Sequence, residues 1–290
     1  MKNTATTQII DNITDIKERI REFKEKKLVI GLVPTMGALH IGHESLIQKA
    51  KEECDMVITS IFVNPTQFGP MEDFNKYPRQ LEADREICSK LGVDLIFAPS
   101  PEEMYPQGLY SIGIDFTMVV PPAVFQNTLC GISRIGHFNG VATVVLKLLN
   151  IINPDKAYFG RKDAQQFVII KKMVKDLNLP VQIIDCPIIR ESDGLACSSR
   201  NKYLNEAARK KAGCIYKSLQ KVEELYNTGI TQTQEVIAQS KELLPTDMEV
   251  EYFEALDMDT FLPAKEISKN TLVAIAIKLD GVRLIDNLVI

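Results

Sequence analysis

Residues 28–47 read LVIGLVPTMGALHIGHESLI, and their order decides the fold. LVIGLV at 28–33 is a short apolar run rich in Val and Ile, the signature of a strand buried on both faces. Pro34-Thr35-Met36-Gly37 breaks it, and a helix is predicted from Gly42 or His43 to Glu53. In an open α/β sheet, ligands bind outside the carboxyl ends of the strands. A helix N-terminus placed there offers N–H groups and partial positive charge to a phosphate. His40 and His43 stand at that helix start, able to donate to phosphate oxygens as charge builds in a transition state. A lone HxxH would favour an ordinary turn or a metal pair. The full order of strand, PTMG, HxGH and helix favours phosphate chemistry. The stretch lacks the Walker pattern and GxGxxG, which moves P-loop hydrolases and hydride-transfer enzymes down the list.

Outward from this stretch the alternation continues. Residues 14–27 read as a surface helix, with Thr14 as N-cap and Ile16, Ile20 and Phe23 on one face. Strands are expected near 56–63, 93–98, 156–160 and 181–189, with helices near 79–91, 140–154 and 163–177. Residues 99–139 are rich in Pro and Gly and read as loop with short elements. Buried strands alternating with helices predict a parallel, Rossmann-like α/β sheet. After about residue 190 the pattern changes to helices at 204–227 and 232–244, then strands at 250–257, 271–279 and 282–288. Asp280-Gly281 is expected to make a tight hairpin turn between the last two. The expected domains are therefore 1–186, α/β, and 187–290, a smaller α+β unit.

Composition narrows the classes. The 290 residues are 45% hydrophobic and 25% charged, an ordinary globular balance that excludes global disorder, collagen and a disulfide mini-scaffold. The net charge of −4 gives no broad basic footprint for nucleic acid. Six cysteines without a CxxC pair read as buried thiols of a cytoplasmic protein. Neither a leader-like apolar stretch in the first 27 residues nor an apolar run of ~20 residues is present, so no membrane association is expected. Only three histidines occur, His40, His43 and His137, all in Gly-containing segments.

Four further segments follow predicted strands or precede helices. FVNPTQFGPMEDFNKYPR at 62–79 offers Gln67, whose amide suits a hydroxyl or carboxylate; alone, NPTQF is a turn. GISRIGHFNGVATVV at 131–145 clusters Arg134, His137 and Asn139, either to meet an anion or as a loop packed by its own side chains. YFGRKDAQQFVII at 158–170 places Lys162, Asp163 and Gln166 at a helix start. Alone, that segment is read better as an Asp N-cap beside a solvated lysine. IIRESDGLACSSRNKYL at 188–204 carries Ser198, Ser199 and Arg200, a phosphate clamp or a capping loop. Strand ends in a parallel sheet share one rim, so the weak signals reinforce one another.

HxGH after the first strand resembles the HIGH signature of nucleotidyltransferases and class I aminoacyl-tRNA synthetases. PTMGALHIGH, FVNPTQF, YPR, GHF, GRKDAQQ and SSRNKYL, in this order and spacing, resemble the pantothenate synthetase (pantoate–β-alanine ligase) family over about residues 28–205. The resemblance implies ATP-dependent joining of pantoate and β-alanine through an adenylate, with Mg2+, in a homodimer. It implies catalytic roles for His43, His40 and Lys162. ATP would meet Met36, Gly37, Ala38, Leu39, His40, Ile41, Gly42 and His43, then Gly160, Arg161, Lys162 and Asp163, and finally Ile189, Cys197, Ser198, Ser199 and Arg200. Pantoate would meet Gln67, Gln166 and Arg134, and β-alanine Gln67. Asp84 is the candidate for the acidic residue linked to Mg2+. Many relatives carry Ala-Ser-Arg-Pro where this chain has Ile132-Ser133-Arg134-Ile135, and a larger or charged residue at Asn139.

Three other readings remain at this point. A nucleotidyltransferase acting on a phosphorylated small molecule fits the first motif, but the Gln67 and Gln166 amides suit a hydroxy acid better than a second phosphate. An aminoacyl-tRNA synthetase would be longer, with an anticodon-binding extension. A catalytically dead ATP-binding regulator would not need the His, Lys, Gln, Ser and Arg set.

Overall fold

The computed structural model describes residues 6–69, 72, 74–108 and 116–290. Pro70, Met71 and Asp73 of the second segment lie outside the described residues. Six strands form a parallel sheet: β1 (Gln8–Ile10), β2 (Ile30–Thr35), β3 (Met56–Ile61), β4 (Leu95–Phe97), β5 (Lys156–Gly160) and β6 (Gln182–Cys186). Their order is β1-β4-β3-β2-β5-β6. The chain thus winds one way from β2 to β4 and the other way from β5 to β6. The reversal falls between β2 and β5, which pair at Gly31–Lys156 and Leu32–Ala157. This is the switch point at which open α/β sheets leave a crevice beyond the strand ends.

The helices are α1 (Ile13–Glu25), α2 (Ile41–Glu53), α3 (Leu81–Lys90), α4 (Pro101–Met104), α5 (Ala123–Gln126), α6 (Cys130–Ser133), α7 (His137–Ile152) and α8 (Ala164–Asp176). Parallel crossovers are right-handed, so α2 and α8, which serve opposite winding directions, lie on opposite faces. Val33, Leu39, Ile47, Cys88 and Ile96 join in one buried cluster under α2 and α3.

Further along are α9 (Glu206–Ala212), α10 (Cys214–Asn227) and α11 (Thr233–Lys241), then β7 (Glu249–Asp257), β8 (Thr271–Leu279) and β9 (Val282–Val289) in an antiparallel sheet ordered β7-β8-β9. The β8–β9 turn has Asp280 at φ 53° and Gly281 at φ 73°, the left-handed pair that matches strand twist. Leu219, Val222, Val236, Val273 and Ile275 form this sheet's core. By internal packing the chain makes two compact units. One holds Met1–Gln126, Cys130–Arg161 and Gln165–Cys186; the other holds Asn127–Leu129, Lys162–Ala164 and Pro187–Ile290.

Several boundaries differ from expectation. β1 has only three residues, too few for alternation to show, and is held by pairing with Leu95–Phe97. The cap of α1 is Asn12, whose side chain accepts from the Asp15 N–H, so Thr14 is already helical. The helix expected at 140–154 starts three residues earlier, after Gly136 at φ 80°. The helix expected at 204–227 is two, broken at Gly213, where a Cβ would lie 2.9 Å from the Asp193 carbonyl oxygen.

Glu53, at the end of α2, ties that helix to β5. Its carboxylate takes Lys49 Nζ at 2.8 Å, Lys156 Nζ at 3.1 Å and the Tyr158 hydroxyl at 3.1 Å. The Lys49 bond first, then that from Lys156, hold its pKa down to about 2 from 4.5. A depressed carboxylate stabilises the fold above its unfolded value and loses that contribution as pH falls through the folded one. Glu53→Gln should therefore melt lower than the parent at pH 7. The difference in Tm should shrink as pH falls from 4.5 to about 2; a constant difference would contradict this account.

Candidate active site

The carboxyl end of β2 leads into a turn held from below. The Thr35 hydroxyl donates to the Ser60 carbonyl at 2.8 Å and accepts from the Gly37 N–H at 3.1 Å. Gly37 (φ 80°) and Ala38 (φ 52°) both take the left-handed region. A side chain at Gly37 would place Cβ 2.9 Å from Asp84 Oδ2, so this position needs glycine both for its angle and for the close approach. Asp84, in the first turn of α3, is fully buried. Its Oδ2 accepts from the Ala38 N–H at 2.9 Å and its Oδ1 from the Leu39 N–H at 2.8 Å.

This is a different task from that of metal ligand. Both Asp84 oxygens are committed to backbone amides, and the residue has no exposed surface. No group of three or more His, Cys, Asp or Glu is placed to hold a metal ion among the described residues. The local donor set does not fit Asp84 as a direct Mg2+ ligand. Mg2+ usually keeps several waters and takes phosphate oxygens with one or two carboxylates, so a metal carried by a triphosphate needs no such protein cage.

His40 is the N-cap of α2, with extended backbone, and its Nδ1 accepts from the Gly42 N–H at 3.1 Å. An accepting Nδ1 places the ring proton on Nε2, so His40 presents a donor. The His43 ring lies beside it, centroid to centroid 4.2 Å, and its backbone N–H meets the His40 carbonyl at 2.7 Å. Two half-buried imidazoles thus stand on the first turn of a helix at the switch point.

After β3, Asn64 organises the NPTQ turn. It is buried, its Oδ1 accepts from the Tyr105 hydroxyl at 2.8 Å, and its Nδ2 donates to Gln67 Oε1 at 3.1 Å and the Gly140 carbonyl at 3.2 Å. With Oε1 satisfied, the Gln67 amide is oriented, and its Nε2 lies 3.0 Å from Met36 Sδ. Sulfur is a weak acceptor, so this N–H₂ has capacity left for an oxygen ligand. Gln67 and Met36, from different segments, are thereby brought together. Asn64 was not among the expected site residues; its place two residues before Thr66 in an Asx turn was the only signal.

The start of α7 grips the same turn. A Cβ on Gly140 would lie 2.3 Å from the Thr66 carbonyl oxygen and 2.7 Å from the Gln67 nitrogen. His137 reaches the Gln67 carbonyl at 2.7 Å through Nδ1, and its Nε2 lies 2.8 Å from Arg134 Nη1. A guanidinium only donates, so Nε2 accepts and Nδ1–H donates to Gln67. Arg134 is also forked onto Glu72, Nε–Oε1 2.7 Å and Nη2–Oε2 2.7 Å. Burial pushes the Glu72 carboxyl up, but the guanidinium outweighs it and the pKa is lowered. Three of the five Arg134 N–H donors are thus used within the protein, and through His137 it supports Gln67. Ile132 and Ile135 are 63% and 92% exposed, so the changes at these two positions point away from this network.

Gly160 closes β5 and Arg161 forks onto Asp185 of β6, with Nε–Oδ2 at 2.9 Å. Gln166 is half-buried in the first turn of α8, and its neighbour Gln165 is buried, taking the Cys130 N–H at 3.0 Å. These belong to the first unit. Lys162 and Asp163, with Nζ and Oδ2 3.5 Å apart, belong to the second. So do Ile189, Cys197, Ser198, Ser199 and Arg200. Ser198 caps the short turn Ser199–Tyr203, its Oγ accepting from the Arg200 N–H at 3.3 Å. Burial pushes the Cys197 thiol up, and Cys88 and Cys186 likewise to about 12 and 11. No helix among the described residues is long and apolar enough to cross a membrane.

The family model for pantoate–β-alanine ligase matches residues 8–289. This chain belongs to the pantoate–β-alanine ligase family. It is 47% identical to a pantothenate synthetase of Thermotoga petrophila, over 98% of this chain and 99% of that one. It is 49% identical to a bifunctional pantoate ligase/cytidylate kinase of Trichormus variabilis, covering 90% of this chain and about half (49%) of that protein. The crystal structure of pantothenate synthetase from Thermus thermophilus superposes with TM-score 0.90 at 38% identity, over 97% of this chain and 99% of that one. A ligase of Francisella tularensis, solved with β,γ-ATP and β-alanine, gives 0.79 at 40%, over 98% and 97%.

Asp84→Asn should damage the pantoate–β-alanine ligase site more than the fold. One amide N–H would face an NH₂ group, and a buried unsatisfied donor costs ~1–3 kcal/mol. Turnover should fall at least about tenfold with cooperative unfolding retained. Near-native turnover would show that the turn does not need this clamp.

Proposed function

We propose that the chain condenses (R)-pantoate with β-alanine using ATP, giving pantothenate, AMP and diphosphate through a pantoyl adenylate. The observation that carries this reading is the His40-capped start of α2 at the switch point, together with a Gln67 amide oriented to donate and lying 3.0 Å from Met36 of the turn that leads into that helix. A carboxylate acylates an amine poorly because oxide is a bad leaving group; converting it to the acyl adenylate supplies AMP as a good one. His40 and His43 donate to phosphate oxygens as the pantoate carboxylate attacks the α-phosphorus, with Lys162 on the triphosphate. Gln67, Gln166 and Arg134 hold pantoate, and Gln67 also borders β-alanine. Met36–His43, Gly160–Asp163, Ile189 and Cys197–Arg200 surround ATP, the last as a lid that keeps the adenylate from water. The β-alanine amine then attacks the acyl carbon and AMP leaves. Thiols pushed up by burial lend no support to a thioester route.

Mg2+ bound with the nucleotide would supply charge neutralisation at its phosphates, while Asp84 supports the loop through the Ala38 and Leu39 amides. Residues 1–186 form the ATP- and pantoate-binding domain, and 187–290 the smaller α+β domain. The protein works as a cytoplasmic homodimer on small molecules, apart from nucleic acid and membrane.

The deciding experiment is exchange of labelled pyrophosphate into ATP without β-alanine. Exchange should require pantoate and Mg2+; exchange that appears only on adding β-alanine would replace the adenylate with a concerted route. His43→Ala should lose ~10²–10³ in this rate. Gln166→Ala should raise the pantoate KM about one to two orders of magnitude, with a smaller change for ATP. Equal weakening of both substrates would remove the pantoate assignment.

A further inference from the structure

Two adjacent buried residues of β9 have no part in the function so far. Asp286 and Asn287 are each 3% exposed. Asp286 receives a two-point fork from Arg190, Nη1–Oδ2 2.6 Å and Nη2–Oδ1 3.0 Å, and Arg190 lies 3.7 Å over the Tyr216 ring. Asn287 donates from Nδ2 to the Lys162 carbonyl at 2.9 Å. All of these groups belong to the second unit.

Each contact holds one of the segments assigned to ATP, Gly160–Asp163 or Cys197–Arg200. Arg190 is the base of a small hairpin: it bridges Ala196, the Cys197 N–H bonds the Ile189 carbonyl at 2.9 Å, and Arg190 Nη1 also donates to the Gly194 carbonyl at 3.0 Å. That hairpin delivers Cys197–Arg200. The Asn287 bond fixes the peptide that follows Lys162, and so the point from which the lysine side chain extends. A buried ion pair is weak evidence for stability, because apolar replacements often serve as well. Geometry is the better explanation for a fork and an amide placed side by side on these two segments.

We propose that Asp286 and Asn287 are positioning residues for the nucleotide, Asn287 acting through Lys162 and Asp286 through Arg190. This rests on the reading of Lys162 as a triphosphate ligand. The test is a double-mutant cycle on pyrophosphate exchange in the full-length protein, with Asn287→Leu, Lys162→Ala and the pair together. Asn287→Leu keeps the volume and loses the donor. It should cost about ten- to a hundredfold, leave the pantoate KM unchanged, and cost nothing more in the Lys162→Ala background. Near-native exchange in Asn287→Leu, or losses that multiply in the pair, would overturn the inference while leaving Lys162 in its role. Near-native exchange in Lys162→Ala would overturn that role, and this inference with it. If Asn287→Leu melts below the assay temperature, Asn287→Ser carries the same cycle. Asp286→Asn should raise the ATP KM and spare that for pantoate; equal rises would reject the Arg190 arm.

Discussion

A single buried carboxylate holds the shape on which this site depends. Asp84 sits without exposed surface beneath a left-handed turn and takes one amide from each of Ala38 and Leu39. Charge is costly to bury unless it is fully hydrogen-bonded, and turns of this hand are costly unless something over-determines them. Each cost is offset by the other. The result is a rigid step from the β2 strand end to the His40 cap, so that the imidazoles start from a fixed point rather than from a loop.

The second support is a set of polar contacts around one turn. Asn64, Gly140 and His137 meet Gln67 by its side chain, its backbone nitrogen and its carbonyl. Arg134 and Glu72 stand behind His137. Preorganised donors act without reorganising when charge develops, and here the amide orientation of Gln67 is settled before any ligand arrives.

Much of the fold was legible because its signals are periodic. The buried runs at β2, β3 and β5 and the apolar face of α7 show in the order of side chains alone, as does Asp280-Gly281 between β8 and β9. β1 was not, because three residues contain no period and its partner β4 lies far along the chain. The split at Gly213 was hidden for a similar reason, since the Asp193 backbone that crowds it comes from another segment. At the site, the residue types were readable and their tasks less so. Asp84 was visible as an acid after YPR but not as a clamp, and Arg134 as a cation but not as one already paired. Both outcomes depend on burial and on contacts with segments distant in sequence, which a linear pattern does not carry.

The division of the chain has a consequence for its dissection. The second unit takes Asn127–Leu129 and Lys162–Ala164 from within the stretch that otherwise builds the first. The polypeptide therefore enters it three times, and no single cut separates the two. A gene fragment ending at Cys186 would encode the His motif and the lysine together, yet would leave the lysine's packing partners behind. A truncation at that point therefore takes more from the molecule than the tail it cuts away.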